Sequence, residues 1–155
     1  MKQTVVDTFI DSTVGMVQDI TGLSFEAGQA AATSQLCSGE NVMGLIGITG
    51  NLRGNIIVNM TSAVAIQIAG VMMMDPELSE IDEISQSALC ELCNMIVGNA
   101  VTVLSQNDIE MDITPPTIFT GNNMQYRVDK SEITCVPLLL NNEKAIELNI
   151  SYSAE

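Results

Sequence analysis

Between Glu83 and Asp108 this 155-residue chain carries one charged side chain, Glu91, and three positions on stands the carboxamide of Asn94. A carboxylate can anchor a cation. A carboxamide can accept a hydrogen bond from water while donating to an oxyanion, with no change in its own protonation. On a helix turning about 100° per residue, Ser87, Glu91, Asn94 and Gly98 fall within about 60° of one another. The rest of the circumference is mostly Leu89, Leu92, Met95, Ile96, Val97, Ala100, Val103 and Leu104. Such a helix packs into a core on most sides and leaves one strip out. That strip reads either as plain solvated surface or as a site. Gly98 leans toward a site: an interior helical Gly costs about 1 kcal/mol relative to Ala, and bare backbone on the strip would let another molecule come close. Tight packing inside the chain would account for Gly98 equally well.

The other candidate chemistry is weaker. With no His in the chain, His-based nucleophile activation and the usual catalytic zinc sets are excluded. Cys90 and Cys93 form a C-x-x-C, but mid-helix, away from the N-terminal dipole that activates such thiols, so they read as small buried hydrophobes behind the polar strip. A four-thiolate zinc site adding Cys37 and Cys135 lacks the second C-x-x-C that such sites use; a thiol or metal sensor built on the cysteines is a weaker third reading. Residues 75–83 hold five carboxylates and no base, which reads as a solvated connector without the spacing of a calcium loop. Met72, Met73 and Met74 read as the end of a core helix.

These residues need elements to position them. Apolar spacing predicts an amphipathic helix over 4–20. A strand is expected over 30–37, and two more, 42–49 and 55–60, joined by a turn around Gly50 to Gly54. A buried helix follows from Ser62 to Met74, capped by Thr61 or Ser62 and stopped by Asp75-Pro76. Ser79 and Asp82 resemble a capping box for a long helix over about 81–106. Runs at 109–114, 117–120, 124–129, 132–140 and 145–152 read as strands, with turns at Pro115-Pro116, Gly121-Asn122 and Asn141-Asn142. This order predicts an α+β fold, one domain over 1–155, with long central helices packed on a largely antiparallel sheet.

Composition narrows the partners. The net charge of −14 disfavours nucleic acid and anionic membrane surfaces. The apolar stretch from Ala63 to Met74 is too short to span a bilayer. No export signal is seen and the cysteines are few, so a cytoplasmic setting is expected. Aromatics are only 3% of the chain, so the core must be aliphatic.

At Ser87-Ala-Leu-Cys-Glu91-Leu-Cys-Asn94, with Pro116 standing 22 positions after Asn94, the chain resembles the CheC/CheX/FliY family of response-regulator phosphatases. That family carries an acidic residue or Ser, Glu four positions on, Asn three further, and a Pro a little over twenty later. Ile46-Gly-Ile-Thr-Gly50 and Asp112-Ile-Thr-Pro-Pro-Thr117 fit as well. A single Glu-x-x-Asn places the chain nearer CheX than the CheC type, which carries two. The resemblance implies removal of phosphate from the aspartyl-phosphate of a CheY-like chemotaxis regulator. By it, Asn94 orients the attacking water and Glu91 pairs with the receiver's Lys. Ser87 and Gly98 line the contact, and Pro116 shapes a turn nearby. It implies a homodimer through sheet edges, no cofactor or metal in this chain, and Mg²⁺ in the partner receiver. The alternative is a catalytically silent CheX-like module that binds a receiver or a flagellar-switch component.

Overall fold

The computed structural model describes residues 2–36, 39–127 and 132–154. Helix α1 is Lys2–Thr21; the strands β1 (Glu26–Ala27), β2 (Glu40–Gly50) and β3 (Leu52–Thr61) follow. Helices α2 (Ser62–Met72) and α3 (Glu83–Ser105) come next, then β4 (Met111–Ile113), β5 (Thr117–Asn122), β6 (Ile133–Leu140) and β7 (Glu143–Ala154). The strands make one seven-stranded sheet in the order β1-β6-β7-β3-β2, with β4 and β5 both beyond β2. Every pairing is antiparallel, so the expected α+β architecture is the one observed.

Period-2 alternation divides the sheet into two faces. Val42, Ile46 and Ile48 of β2, Ile56, Val58 and Met60 of β3, and Ile146, Leu148 and Ile150 of β7 join one core with Phe9 and Val17 of α1, Ile68 of α2, and Leu89, Leu92 and Ile96 of α3. The alternate positions Asn59, Glu147 and Asn149 are buried on the other face. Residues 34–36 lie there: Ser34 Oγ and the Gln35 N–H donate to the Glu147 carboxylate at 2.6 Å each. The Asn41 and Asn59 amides donate to the Leu36 carbonyl. The strand expected over 30–37 is therefore absent from the described part of that segment. Its polar groups go to side chains of the sheet, leaving one isolated bridge, Ala31 to Cys135. Cys37, Val128 and Asp129 lie outside the described residues; 124–127, also expected as strand, form none.

Helix boundaries differ from expectation for local reasons. Thr61 caps α2, its hydroxyl accepting from the Val64 N–H. The helix ends at Met72, before Asp75-Pro76, because Met74 adopts a left-handed φ of 55°. The Asp75 and Met74 N–H groups then bond back to Gly70 and Val71, a Schellman closure. The two-residue hairpin between β6 and β7 turns at Asn141 and Asn142, both at positive φ, as the Asn-Asn pair suggests. Among the described residues α3, not Ala63 to Met74, is the helix long and apolar enough to cross a bilayer. Its residues Leu89, Leu92, Cys93, Ile96, Val97, Ala100 and Leu104 are fully buried in the protein.

Helix α3 is seated on β2 at a single close approach. A Cβ on Gly44 would collide with the Cys93 thiol and touch Ile118 Cδ1 at 3.5 Å. Gly44→Ala should therefore destabilise by about 1–3 kcal/mol through overpacking. Adding Cys93→Ala should return part of that loss, because the new methyl occupies the thiol's space. Urea unfolding of the four proteins of this cycle measures the coupling; strictly additive effects would refute the contact.

Candidate functional site

Helix α3 begins at Glu83, two residues later than the start near 81 that the sequence suggested. Asp82, not Ser79, is its N-cap: Asp82 Oδ1 accepts from the Ser85 N–H at 2.8 Å, and Ser85 Oγ accepts from the Asp82 N–H at 2.7 Å. Ser85 fills the reciprocal place of the capping box usually held by Glu or Gln. Those bonds hold the Asp82 carboxyl below the ordinary carboxylate range, the Ser85 backbone contributing most. The box fixes where the helix starts, its N-cap five residues before the strip opens at Ser87.

Ser87, Glu91 and Asn94 are exposed on that strip. Ser87 Oγ donates to its own helix, at the Glu83 carbonyl. Neither Glu91 nor Asn94 makes a side-chain hydrogen bond or ion pair to any described residue. Gly98 is open: a Cβ there would meet nothing within 4 Å, so tight packing does not explain it.

Opposite the helix runs the outer edge of the sheet. Both β4 and β5 pair with β2, at Ile48↔Ile113 and Leu45↔Thr117. Two residues of β2 thus face three of the edge chain, Thr114, Pro115 and Pro116, which is a β-bulge. The extra residue changes which face each side chain takes, so Ile113 and Ile118 both pack against the helix-side core. Between bulge and helix lies a groove of about 680 Å³. Glu83, Gln86, Ser87, Cys90, Glu91 and Asn94 line it from α3; Ile113, Thr114, Pro115, Pro116 and Ile118 line it from the edge. Pro116 is thus brought beside the strip. Gly98 is not in the lining; it lies one turn beyond Asn94.

Sequence reasoning missed several of these residues and misplaced Cys90. Glu83 sits one turn before Ser87 and Gln86 immediately before it, where no spacing rule singles them out, and Ile113, Thr114, Pro115 and Ile118 come from an edge that only the tertiary fold brings to the helix. Cys90 was expected behind the strip as a buried hydrophobe. Instead it is half-buried in the groove, its Sγ 4.0 Å from the Pro116 carbonyl; the bulged edge lies on that side of the helix. Burial pushes the Cys90 thiol up, and takes Cys93 to about 12 with Cys90's help. Both stay protonated at neutral pH and are poor nucleophiles. Among the described residues no three of His, Cys, Asp and Glu gather as metal ligands.

What the groove offers is a carboxylate and a carboxamide one turn apart, unpaired among the described residues and flanked by a Pro-Pro wall. Residues 42–139 match the family model described as chemotaxis phosphatase CheX. The chain is 28% identical over 154 residues, 99% of each partner, to the CheY-P phosphatase CheX of Thermotoga maritima. It superposes with a TM-score of 0.78 and 29% identity on a chain of the CheX-CheY-BeF3-Mg²⁺ complex from Borrelia burgdorferi, covering 95% of this chain and 96% of that one. A CheC-like superfamily protein from Shewanella sp. PV-4 gives a TM-score of 0.86 at 22% identity, covering 99% and 100%.

The cap makes a pH-dependent prediction. The folded Asp82 carboxyl titrates below its unfolded value, so its stabilisation is complete above a pH of about 4 and is lost as acid protonates it. The stability gap between the natural protein and Asp82→Ala should be largest near neutrality and shrink toward pH 3. Urea midpoints across that range test it, and a gap independent of pH would contradict it.

Proposed function

The chain belongs to the CheX family of chemotaxis phosphatases, and on that premise we propose that it hydrolyses the aspartyl-phosphate of a CheY-like response regulator. The carrying observation is the exposed Glu91 and Asn94 pair in a walled groove, with no described residue claiming either side chain. The Thermotoga relative acts on CheY-P, and the Borrelia complex joins CheX with CheY, BeF3 and Mg²⁺. Both support the same partner for this chain.

Hydrolysis of an acyl phosphate needs a water held in line with the leaving carboxylate oxygen; positioning and charge stabilisation supply most of the catalysis. In this reading the Asn94 side-chain carbonyl accepts a hydrogen bond from the water and aims its lone pair at phosphorus. The amide NH2 faces a phosphoryl oxygen. The water oxygen bonds to phosphorus as the bond to the aspartyl oxygen breaks, giving inorganic phosphate and a free carboxylate. Neither step asks Asn94 to change protonation, which suits a chain without His. Glu91, one turn earlier, pairs with the Lys that receivers keep beside the phosphorylated Asp. The receiver contributes the Mg²⁺. Ser87 and Gly98 give the partner a low, uncrowded surface along the helix.

A homodimer through sheet edges belongs to the same reading. The strands β1 and β5 lie at opposite edges of the sheet and are the edges such a dimer would use; a native mass equal to one chain would reject it.

Asn94→Ala should lower phosphate release from a phosphorylated receiver by about a hundredfold or more, with receiver affinity changed only a few-fold. Unchanged turnover would remove Asn94 from the reaction. Glu91→Lys sets like charge against the receiver Lys and should weaken binding itself, measured by titration with the receiver; full affinity would discard that contact. Tight binding by the natural protein with no accelerated phosphate release would leave the silent-module alternative standing.

A further inference from the structure

The Pro115-Pro116 wall has no N–H groups, so it cannot hold itself to β2 as an edge strand would. Across the bulge β2 would be left with an unpaired donor and acceptor at Gly47. Thr114 takes both. Its backbone N–H donates to the Gly47 carbonyl at 2.9 Å, and its Oγ1 accepts from the Gly47 N–H at 2.8 Å. The side-chain oxygen stands where a strand carbonyl would. A Cβ on Gly47 would press on Thr114 Oγ1 and Cγ2 at 3.2 Å each, so the two residues meet in close contact.

We propose that Thr114 is a positioning residue of the groove: clamped at both ends of its backbone-and-hydroxyl fork to Gly47, it fixes the Pro-Pro wall relative to Glu91 and Asn94. Without the hydroxyl the bulge keeps one of its two bonds to Gly47 between the strand pairings at Ile113 and Thr117, and the wall gains local freedom because neither proline can replace the lost contact. Thr114 is itself exposed, so losing its hydroxyl does not bury an orphaned group in the core, and the fold survives. A wall free to shift admits the receiver in more than one setting, and in-line attack tolerates displacements of well under about 1 Å.

This role presupposes the phosphatase reading, but the wall has a reporter that does not. Cys90 lies under the Pro116 carbonyl, so its alkylation rate reports how firmly the wall is held. Thr114→Val removes the hydroxyl at nearly constant shape; Thr114→Ser keeps it. With a CheY-like receiver phosphorylated by acetyl phosphate and Mg²⁺ as substrate, Thr114→Val should lower kcat by about tenfold. KM should move less than kcat, and Thr114→Ser should stay near the natural protein. Iodoacetamide labelling of Cys90, followed by peptide mass mapping, should quicken several-fold in Thr114→Val and not in Thr114→Ser. Natural kinetics and natural labelling in Thr114→Val would overturn the proposal, as would a Thr114→Ser protein as impaired as the valine variant. Should the natural protein release no phosphate at all, the phosphatase reading falls, while the labelling comparison still decides whether Thr114 clamps the wall.

Discussion

The structure depends on one face of α3, from Ser85 to Leu104, being fully buried while the opposite strip stays out. Its aliphatic residues are packed among α1, α2 and β2, which removes any freedom to roll, and a helix that cannot roll presents a fixed strip. Two local contacts seat the helix. At the start, Asp82 and Ser85 close the first turn on itself; halfway along, Gly44 lets β2 meet the Cys93 side chain at a distance no larger residue would allow. A further polar contact ties α1 to the same helix: Ser12 Oγ donates to the Ile96 carbonyl at 2.6 Å and accepts from Asn99 Nδ2. Core packing and site geometry are therefore one problem, solved by the same side chains.

Much of this was legible in the residues. The uninterrupted apolar run around Glu91 and Asn94 has one dominant solution, a core helix with a polar strip, and the strip is where the period of 3.6 put it. The strands with strict alternation, 42–49, 55–60 and 145–152, were also plain. What escaped were features decided by partners remote in sequence. Residues 30–36 have strand-like composition, but the Glu147 carboxylate and the side chains of Asn41 and Asn59 take up their polar groups, and Glu147 and Asn59 are remote in sequence. The capping box moved by three residues because Ser85 can return the hydrogen bond that Ser79 and Asp82 were expected to share. Cys90 was placed by a helical wheel, which knows nothing of what lies opposite the helix.

Charge completes the picture. The chain has five basic side chains against nineteen acidic ones, and α3 contributes Glu83 and Glu91 to the groove without a base near them in sequence. In the proposed function a partner's lysine is drawn in by the general field and registered by one carboxylate. The chemistry that proposal asks of the groove is correspondingly modest: a donor-acceptor amide held still, with no proton carrier or activated thiol.

The bulge opposite α3 carries an evolutionary constraint of its own. Ile113 and Ile118 are an odd number of positions apart, yet both turn toward the same core, and only the one surplus residue between them makes that arithmetic work. Loop tips elsewhere on a sheet can usually lengthen or shorten at little cost. Here a descendant could not gain or lose a single position at 114–116 without turning one isoleucine out to water and carrying the wall away with it. Length is an inherited quantity in that stretch, alongside the Thr114 hydroxyl.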